Sequence, residues 1–129
     1  MKFSFIIPVY NRPGEIRELL ESLSHQQDSA FELIVVEDGS SESSESVAGE
    51  FRELLDIHYF FKENSGPGPS RNFGCEKAKG DYFIFLDSDC ILPRHYVRLV
   101  RETLEWNYTD AFGGPDEAYR DFTNFQKAV

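Results

Sequence analysis

The sequence predicts an α/β fold with a mainly parallel sheet and helices on both faces. Short apolar runs alternate with amphipathic helical patterns along the chain, the order typical of a parallel sheet with crossover helices. The runs are almost continuously apolar, as expected of strands covered on both faces. With 129 residues, 40% of them hydrophobic and 15% aromatic, the chain suits one globular domain with a single core.

The first half of the chain contains two predicted strands, each followed by a helical pattern. Phe3 to Val9 is the first strand; Asn11 is predicted to cap the next helix, with Pro13 in its first turn. The apolar stripe of this helix comprises Ile16, Leu19, Leu20 and Leu23. Phe31 to Val36 is the second strand, and the Ser/Glu run 40–46 is predicted to be a solvated loop and helix start. A weaker stripe follows at Val47, Phe51, Leu54 and Leu55.

The second half repeats this alternation. Ile57 to Phe61 is the third predicted strand, and the Gly/Pro turn 64–69 leads into a helix that reaches about Lys79. Tyr82 to Leu86 is the fourth strand. Pro93 opens another helix, whose inward stripe is Tyr96, Val97, Val100 and Leu104. Residues 111–114 are predicted to form a short strand and a turn.

Charge and cysteine content restrict the function. The formal net charge of −10 repels nucleic acid, so an anionic ligand needs a bound cation, an Arg or backbone N–H groups. Cys75 and Cys90 show no metal or redox spacing and are interpreted as reduced, intracellular thiols. The three histidines, which likewise lack ligand spacing, are interpreted as structural or solvent-facing: His25, His58 and His95.

No membrane or export segment is expected. The apolar run at the N-terminus is too short for a signal peptide, and no stretch approaches the ~20 apolar residues of a membrane helix. We therefore expect a soluble segment in the cytoplasm, and leave open membrane association of a longer parent protein.

Three polar clusters follow predicted strands. They are Tyr10-Asn11, the run 37–40 (Glu-Asp-Gly-Ser) and the run 87–89 (Asp-Ser-Asp). Ligands of open parallel sheets bind at the carboxyl ends of the strands. We therefore expect these clusters to share one cleft.

The run Asp87-Ser88-Asp89 is a candidate metal site. Two carboxylates separated by one residue, directly after a buried strand, can aim at one point and hold Mg²⁺ or Mn²⁺. Such a cation bridges a diphosphate and neutralises charge on a leaving nucleoside diphosphate. The alternative is an ordinary acidic loop.

The other clusters offer candidates for nucleotide contacts. Asp38 can accept hydrogen bonds from a base N–H or a ribose hydroxyl, or cap a helix, while Gly39 allows a tight turn. Glu37 should point to the opposite side of its strand. Tyr10 can stack on a base or simply pack, and Pro8 stiffens the turn.

Arg71 is a candidate cation for the ligand. It lies near a predicted helix start, behind a Gly/Pro loop, and is positioned to bind a diphosphate or a base in this acidic chain. The alternative is a surface salt bridge.

Four motifs follow one another along the chain. They are Phe5-Ile6-Ile7-Pro8-Val9-Tyr10-Asn11, Val36-Glu37-Asp38-Gly39-Ser40, Ser70-Arg71-Asn72-x-Gly74 and Gly80-Asp81-Tyr82-Phe83-Ile84-Phe85-Leu86-Asp87-Ser88-Asp89. Each motif is weak alone, whereas four in this order and spacing are specific. Together they resemble the family 2 glycosyltransferases, and the resemblance covers nearly the whole chain.

The resemblance implies a Rossmann-like GT-A fold, a nucleotide-sugar donor (most often a UDP-sugar), a saccharide or lipid-linked acceptor, a divalent Mn²⁺ or Mg²⁺ ion, and inversion at the anomeric carbon. It also implies that Asp89 is the main metal ligand and that Asp87 faces the ribose or the metal. The residues that it implies for donor-nucleotide binding are Pro8, Val9, Tyr10, Asn11, Asp38, Gly39, Arg71, Asp87 and Ser88.

Two features depart from that family. Cys90 stands where many relatives carry a third acidic residue, and the catalytic base of the family lies in a segment that we expect beyond residue 129. Asp116 and Glu117 are too close to the metal motif to match it. The turn 113–116 resembles the stretch that lines the donor-sugar and acceptor side of the cleft.

We therefore expect residues 1–129 to be the nucleotide-sugar-binding portion of a truncated GT-A domain that lacks its acceptor-binding part. We expect it to bind donor without transferring sugar. An apolar helical face formed by Ala118, Phe122, Phe125 and Val129 predicts self-association through residues 118–129.

Other classes of protein fit the motifs less well. A receiver domain needs an acidic pair after its first strand, where this chain has Tyr10-Asn11, and dehalogenase-like phosphatases place Asp-x-Asp after the first strand instead of the fourth. A sugar nucleotidyltransferase-like domain would have a Gly-rich basic loop after the first strand. The strongest alternative is a non-catalytic nucleotide-binding module.

Overall fold

The structure, a computed structural model, describes residues 1–106. The predicted strand and turn at 111–114, the turn 113–116 and the apolar face at 118–129 lie outside the described residues. Within residues 1–106, no helix combines the length and the apolar character needed to cross a membrane.

Four parallel strands form one sheet, in the order β3-β2-β1-β4. The strands are β1 (Phe3–Val9), β2 (Phe31–Asp38), β3 (Ile57–Lys62) and β4 (Tyr82–Phe85). The helices are α1 (Pro13–Ser24), α2 (Glu45–Glu50), α3 (Pro67–Lys77) and α4 (Tyr96–Trp106). The predicted α/β class with a parallel sheet is confirmed.

Helices cover both faces of the sheet, as predicted. On one face, the stripes of α1 and α4 pack with α2 against strand residues such as Phe5 and Val35. On the other face, α3 covers Ile6, Ile34 and Val36. The predicted inward residues of α1 and α4 are all buried.

Helix α3 lies very close to β1. A Cβ atom added to Gly74 would lie 2.5 Å from Cγ2 of Ile6, a separation that real Cβ atoms do not tolerate. Glycine at position 74 therefore allows α3 to pack this closely against β1.

The prediction that Asn11 caps α1 is wrong. The N-cap residue is Arg12, and no side chain caps the helix. Asn11 has a positive φ of 50°, and its side-chain oxygen instead accepts a hydrogen bond of 2.9 Å from the backbone N–H of Glu42. A contact with the segment after β2 has thus replaced the local cap.

Several element boundaries also differ from prediction. Strands β2 and β3 continue to Asp38 and Lys62, because these residues still pair in parallel register. Helix α2 ends at Glu50, so Leu54 lies in the turns that follow and is 69% exposed instead of extending a helical stripe. Helix α4 begins at Tyr96, three residues after Pro93.

The Ser/Glu run 40–46 is not uniformly solvated, contrary to prediction. Ser40 and Ser44 are buried, and both donate hydrogen bonds to the buried carboxylate of Glu37, at 2.5 and 2.7 Å. These two hydroxyls point inward because Glu37 needs donors where β2 ends.

Candidate functional site

One cleft of about 360 Å³ opens at the carboxyl ends of β1, β2 and β4. Most residues that the sequence singled out line it, although they come from four separate segments of the chain. Those residues are Pro8, Val9, Tyr10, Asp38, Arg71, Asp87, Ser88 and Asp89. The polar groups that follow three different strands therefore face a common space.

The acidic run forms a turn directly after β4. The backbone N–H of Leu86 bonds to the carbonyl of Ile6 at 3.0 Å, which extends the sheet contact beyond the strand. The N–H of Cys90 then bonds to the carbonyl of Asp87 at 3.2 Å. Asp87 is half-buried and Asp89 is exposed, and both line the cleft.

These residues fit a divalent cation such as Mg²⁺ or Mn²⁺. Hard cations prefer carboxylate oxygens and accept a site that phosphate and water complete. Among the described residues, the cleft does not bring three metal-ligating side chains within reach of a single ion. An ion held here would depend on ligand oxygens.

Asp38 is a nearly buried carboxylate with several donors. Its Oδ1 accepts hydrogen bonds from Lys62 Nζ at 2.7 Å and from the N–H of Ser65 at 2.8 Å. Its Oδ2 accepts from the N–H of Gly66 at 2.9 Å and from the Asn64 amide at 3.3 Å. Burial raises the pKa of Asp38, but these hydrogen bonds outweigh it and leave the pKa below its ordinary value.

This bonding pattern changes the interpretation of Asp38. A carboxylate offers about four acceptor positions, and the loop 62–66 fills them. Asp38 does not cap α2, because its partners belong to the loop that precedes α3. The Asn64 contact is the longest of the four hydrogen bonds and is the one that an N–H or O–H group of a ligand would displace most easily.

Glu37 points away from Asp38, as predicted from strand alternation. Its carboxylate accepts hydrogen bonds from Ser44 and from the Tyr59 hydroxyl at 2.9 Å, on the opposite side of the strand. Burial, together with the nearby Glu37, raises the pKa of Tyr59 to about 12. Glu37 therefore anchors the loop after β2 and does not line the cleft.

Arg71 lines the cleft from the N-terminal part of α3. Within residues 1–106 it forms no ion pair, so the alternative of a surface salt bridge gains no support there. Its guanidinium brings positive charge to a cleft that also contains three aspartates.

Tyr10 stands at the rim of the cleft and is 52% exposed. An exposed ring beside an apolar strand end suits stacking on a planar ligand better than packing in the core. Of the two alternatives left open by the sequence, the exposure of the ring favours stacking.

Two predicted residues do not line this cleft. Asn11 lies in a neighbouring shallow groove, with its side chain bonded to the 41–42 segment. Gly39 has a positive φ of 67°, and an added Cβ would lie 2.5 Å from the backbone nitrogen of Asn64. Its role is to let the loop at Asn64 approach β2.

The cleft also contains three residues that the sequence analysis missed: Arg12, Glu15 and Pro67. Arg12 donates a hydrogen bond of 2.7 Å to Glu15, three residues along the chain. The hydrogen bond and charge of Glu15, and more weakly the charge of Asp89, raise the pKa of Arg12. The position of Arg12 directly after Tyr10-Asn11 is a signal that could have identified it.

The fold and the cleft define an α/β protein with acidic and basic groups gathered at the carboxyl edge of a parallel sheet. The family model described as glycosyl transferase family 2 matches residues 4–128. The chain belongs to that family.

Curated relatives agree with this assignment. The chain is 39% identical over 106 residues to an uncharacterised glycosyltransferase of Rickettsia bellii, and 35% identical over 114 residues to glycosyltransferase GlyA of Streptococcus pneumoniae. These alignments cover 82% and 87% of this chain, but 15% and 16% of the two relatives. The chain thus spans a small part of their length.

Solved structures share the fold. Staphylococcus aureus TarS, residues 1–349 in complex with UDP, superimposes with a TM-score of 0.79 at 29% identity, over 89% of this chain and 38% of that one. The mannosyltransferase PcManGT of Pyrobaculum calidifontis, in complex with GDP-Man and Mn²⁺, gives 0.73 at 21% identity, over 87% of this chain and 34% of that one. The predicted GT-A type of fold is confirmed.

Proposed function

We propose that residues 1–129 form the donor-nucleotide-binding part of an inverting, metal-assisted glycosyltransferase. The donor is a nucleotide-sugar, with UDP as its nucleotide, and a hydroxyl of a saccharide or lipid-linked acceptor receives the sugar. By itself, this segment binds donor without transferring sugar.

One observation carries the proposal: Asp38, Arg71 and Asp89 line the same cleft although they lie far apart in sequence. A nucleoside diphosphate presents a base, a ribose and two phosphates in that order. The cleft offers an aromatic rim and a buried acceptor for the nucleoside, and a guanidinium and two carboxylates for the metal-bound diphosphate.

Each group then has a distinct task. Asp89, with Asp87 beside it, would hold the divalent cation, which supplies charge neutralisation to the leaving nucleoside diphosphate when bound. Arg71 would donate hydrogen bonds to phosphate or base, and Tyr10 would stack on the base. Asp38 would accept a hydrogen bond from the nucleoside in place of the Asn64 amide.

The choice of UDP is supported by the relatives. TarS is solved in complex with UDP and with UDP-GlcNAc, at 29% identity to this chain. The choice of a divalent metal is supported by the oxygen-only donor set of the run 87–89.

Calorimetric titration of UDP in the presence of MnCl₂ tests the proposal. We expect one-site binding by the wild-type chain, and a loss of affinity of at least about tenfold in Asp89→Asn, because the metal loses its main carboxylate. The matched control is Asp81→Asn, which removes an exposed carboxylate near the N-terminus of β1. Equal binding by wild type and Asp89→Asn would contradict the metal site.

A transfer assay tests the finer part of the proposal. An inverting displacement needs a base to take the proton of the acceptor hydroxyl, and we expect that base beyond residue 129. With UDP-sugars and saccharide acceptors, the 129-residue chain should release UDP no faster than the acceptor-free control. Acceptor-dependent turnover would refute the donor-only role.

A further inference from the structure

We infer that Ser40 is a positioning residue for nucleotide binding, because it ties the turn that contains Tyr10 to a buried carboxylate. Ser40 itself does not line the cleft. The inference rests on the proposed function, in which Tyr10 stacks on the base. It goes further by giving a residue outside the cleft a role in the affinity for the nucleotide.

The Ser40 hydroxyl joins two segments of the chain. Its Oγ accepts a hydrogen bond of 2.8 Å from the backbone N–H of Asn11, and it donates a hydrogen bond of 2.5 Å to Oε2 of Glu37. A hydroxyl donates and accepts at the same time, whereas a backbone N–H only donates and a carboxylate only accepts. The chemistry of the three groups therefore fixes the direction of both hydrogen bonds.

Glu37 anchors this connection inside the protein. Its carboxylate is fully buried and also accepts hydrogen bonds from the N–H and the hydroxyl of Ser44, both at 2.7 Å, and from the Tyr59 hydroxyl at 2.9 Å. Hydrogen bonds to an ionised acceptor are shorter and stronger than those between neutral groups. Because the carboxylate is held from several directions, the Ser40 hydroxyl is held with it.

Asn11 needs this support because its backbone lies in an unfavourable region. Among residues 1–106, Asn11 is the only non-glycine residue with a positive φ, at 50°. Asn visits this left-handed region more readily than most residues, but such a conformation persists only where surrounding contacts hold it. Ser40 holds the N–H of Asn11, and the N–H of Glu42 holds its side-chain oxygen at 2.9 Å. The segment after β2 thus fixes the turn after β1.

This turn determines where Tyr10 lies. On one side of Tyr10, Val9 pairs with Glu37 in the sheet; on the other side, Asn11 is bound to Ser40. The Tyr10 ring is half-exposed, so packing against neighbours does little to fix its position. The backbone must therefore direct the ring to the cleft. If Asn11 were released, nucleotide binding would have to order the ring, and this entropy cost would lower the affinity.

Calorimetric titration of UDP in the presence of MnCl₂ tests the inference. Ser40→Ala removes the acceptor of the Asn11 N–H and should lower the UDP affinity roughly fivefold, the effect of one hydrogen bond. Ser44→Ala is the matched control, because it removes another buried hydroxyl from the same carboxylate and leaves the contact with Asn11 in place. Urea midpoints should fall in both variants, whereas the UDP affinity should fall in Ser40→Ala alone. Equal affinities of the two variants would refute the positioning role.

A double-mutant cycle with Tyr10 separates positioning from a general loss of structure. In the Tyr10→Ala background, Ser40→Ala should cause no further loss of UDP affinity, because the ring that Ser40 positions has been removed. If Ser40→Ala causes its full loss in that background as well, it does not act through Tyr10 and the inference is wrong.

A second variant keeps the test decisive if Ser40→Ala does not fold. Asn11→Ala removes the acceptor of the Glu42 N–H and should give the same loss of affinity, again absent in the Tyr10→Ala background. The proposed function and this inference fail in different ways. Absence of UDP binding to the wild-type chain contradicts both. Binding that weakens in Tyr10→Ala but not in Ser40→Ala contradicts the inference alone.

Discussion

The ammonium group of Lys62 lies 2.7 Å from the carboxylate of Asp38, and both side chains are largely buried, at 14% and 7% exposure. The two residues end adjacent strands and pair directly in the sheet register. Lys62 also hydrogen-bonds to the carbonyl of Glu63 at 2.8 Å. This pair therefore joins the floor of the cleft to the loop before α3.

Removal of Lys62 should destabilise the protein. We expect Lys62→Met to lower the free energy of unfolding by about 3 kcal/mol, because Asp38 would remain buried without its cation. Urea denaturation measures this change, and Lys79→Met, at an exposed lysine, is the control that should stay close to wild type. Equal midpoints for the two variants would show that the pair contributes little.

Gly39 should tolerate no side chain. Gly39→Ala forces a residue with φ near +67° into contact with the backbone of Asn64, so a loss of more than about 1 kcal/mol is expected. Gly14→Ala is the matched control, since its Cβ meets nothing within 4 Å and lies in α1, where Ala is favoured over Gly. Thermal unfolding of both variants should show opposite shifts.

Arg71 should contribute to nucleotide affinity without supporting the fold. On the proposed function, Arg71→Gln removes a charge-assisted hydrogen bond and should weaken UDP binding by about 2 kcal/mol, or roughly thirty-fold. Arg98→Gln, which breaks an exposed pair with Glu102, should leave the affinity unchanged. Calorimetry measures both affinities. If Arg71→Gln also unfolds the chain, the role of Arg71 is structural instead.

Acid should destabilise the protein through carboxyl groups with lowered pKa values. Burial acts to raise the pKa of both Asp28 and Asp38, but hydrogen bonds, chiefly from Arg101 and Lys62, lower both pKa values overall. A lowered pKa in the folded state gives stability that is fully present above the unfolded pKa of about 4 and is lost as the pH falls through the folded value.

The contribution of Asp28 and Asp38 to the free energy of unfolding should therefore be nearly constant from pH 7 to about pH 5. It should fall below about pH 4. Urea midpoints at pH 7, 4 and 3 measure this. Asp28→Asn should reduce the slope between pH 4 and 3. If Asp28→Asn shows the same slope as the wild type, Asp28 does not contribute to the acid destabilisation.

The sequence predicted those parts of the fold that depend on local periodicity. The stripes of α1 and α4, and the apolar runs of β1 and β4, are patterns that burial imposes within a few residues. The rule that ligands bind at the carboxyl edge predicted that Asp38 and Asp89 share one cleft, because strand ends are visible in the sequence. Arg71 was predicted from its position near a helix start, behind a Gly/Pro loop.

What the sequence could not provide were contacts between distant segments. The binding of Asn11 to the backbone of Glu42, and of Asp38 to Ser65 and Gly66, depends on how loops meet after folding. The ion pairs of His58 with Asp56 and Glu32 were missed for the same reason, because partners on neighbouring strands leave no fixed spacing along the chain.

The close packing of α3 against β1 has a consequence for nucleotide affinity. A side chain at position 74 would collide with Ile6, and Arg71 is about one turn nearer the cleft on the same helix. On the proposed function, a bulkier residue at 74 would push α3 away from the sheet and carry the guanidinium away from the phosphates of the nucleotide. On the same proposal, buried residues far from the nucleotide determine the position of Arg71, and their substitution can change the nucleotide affinity.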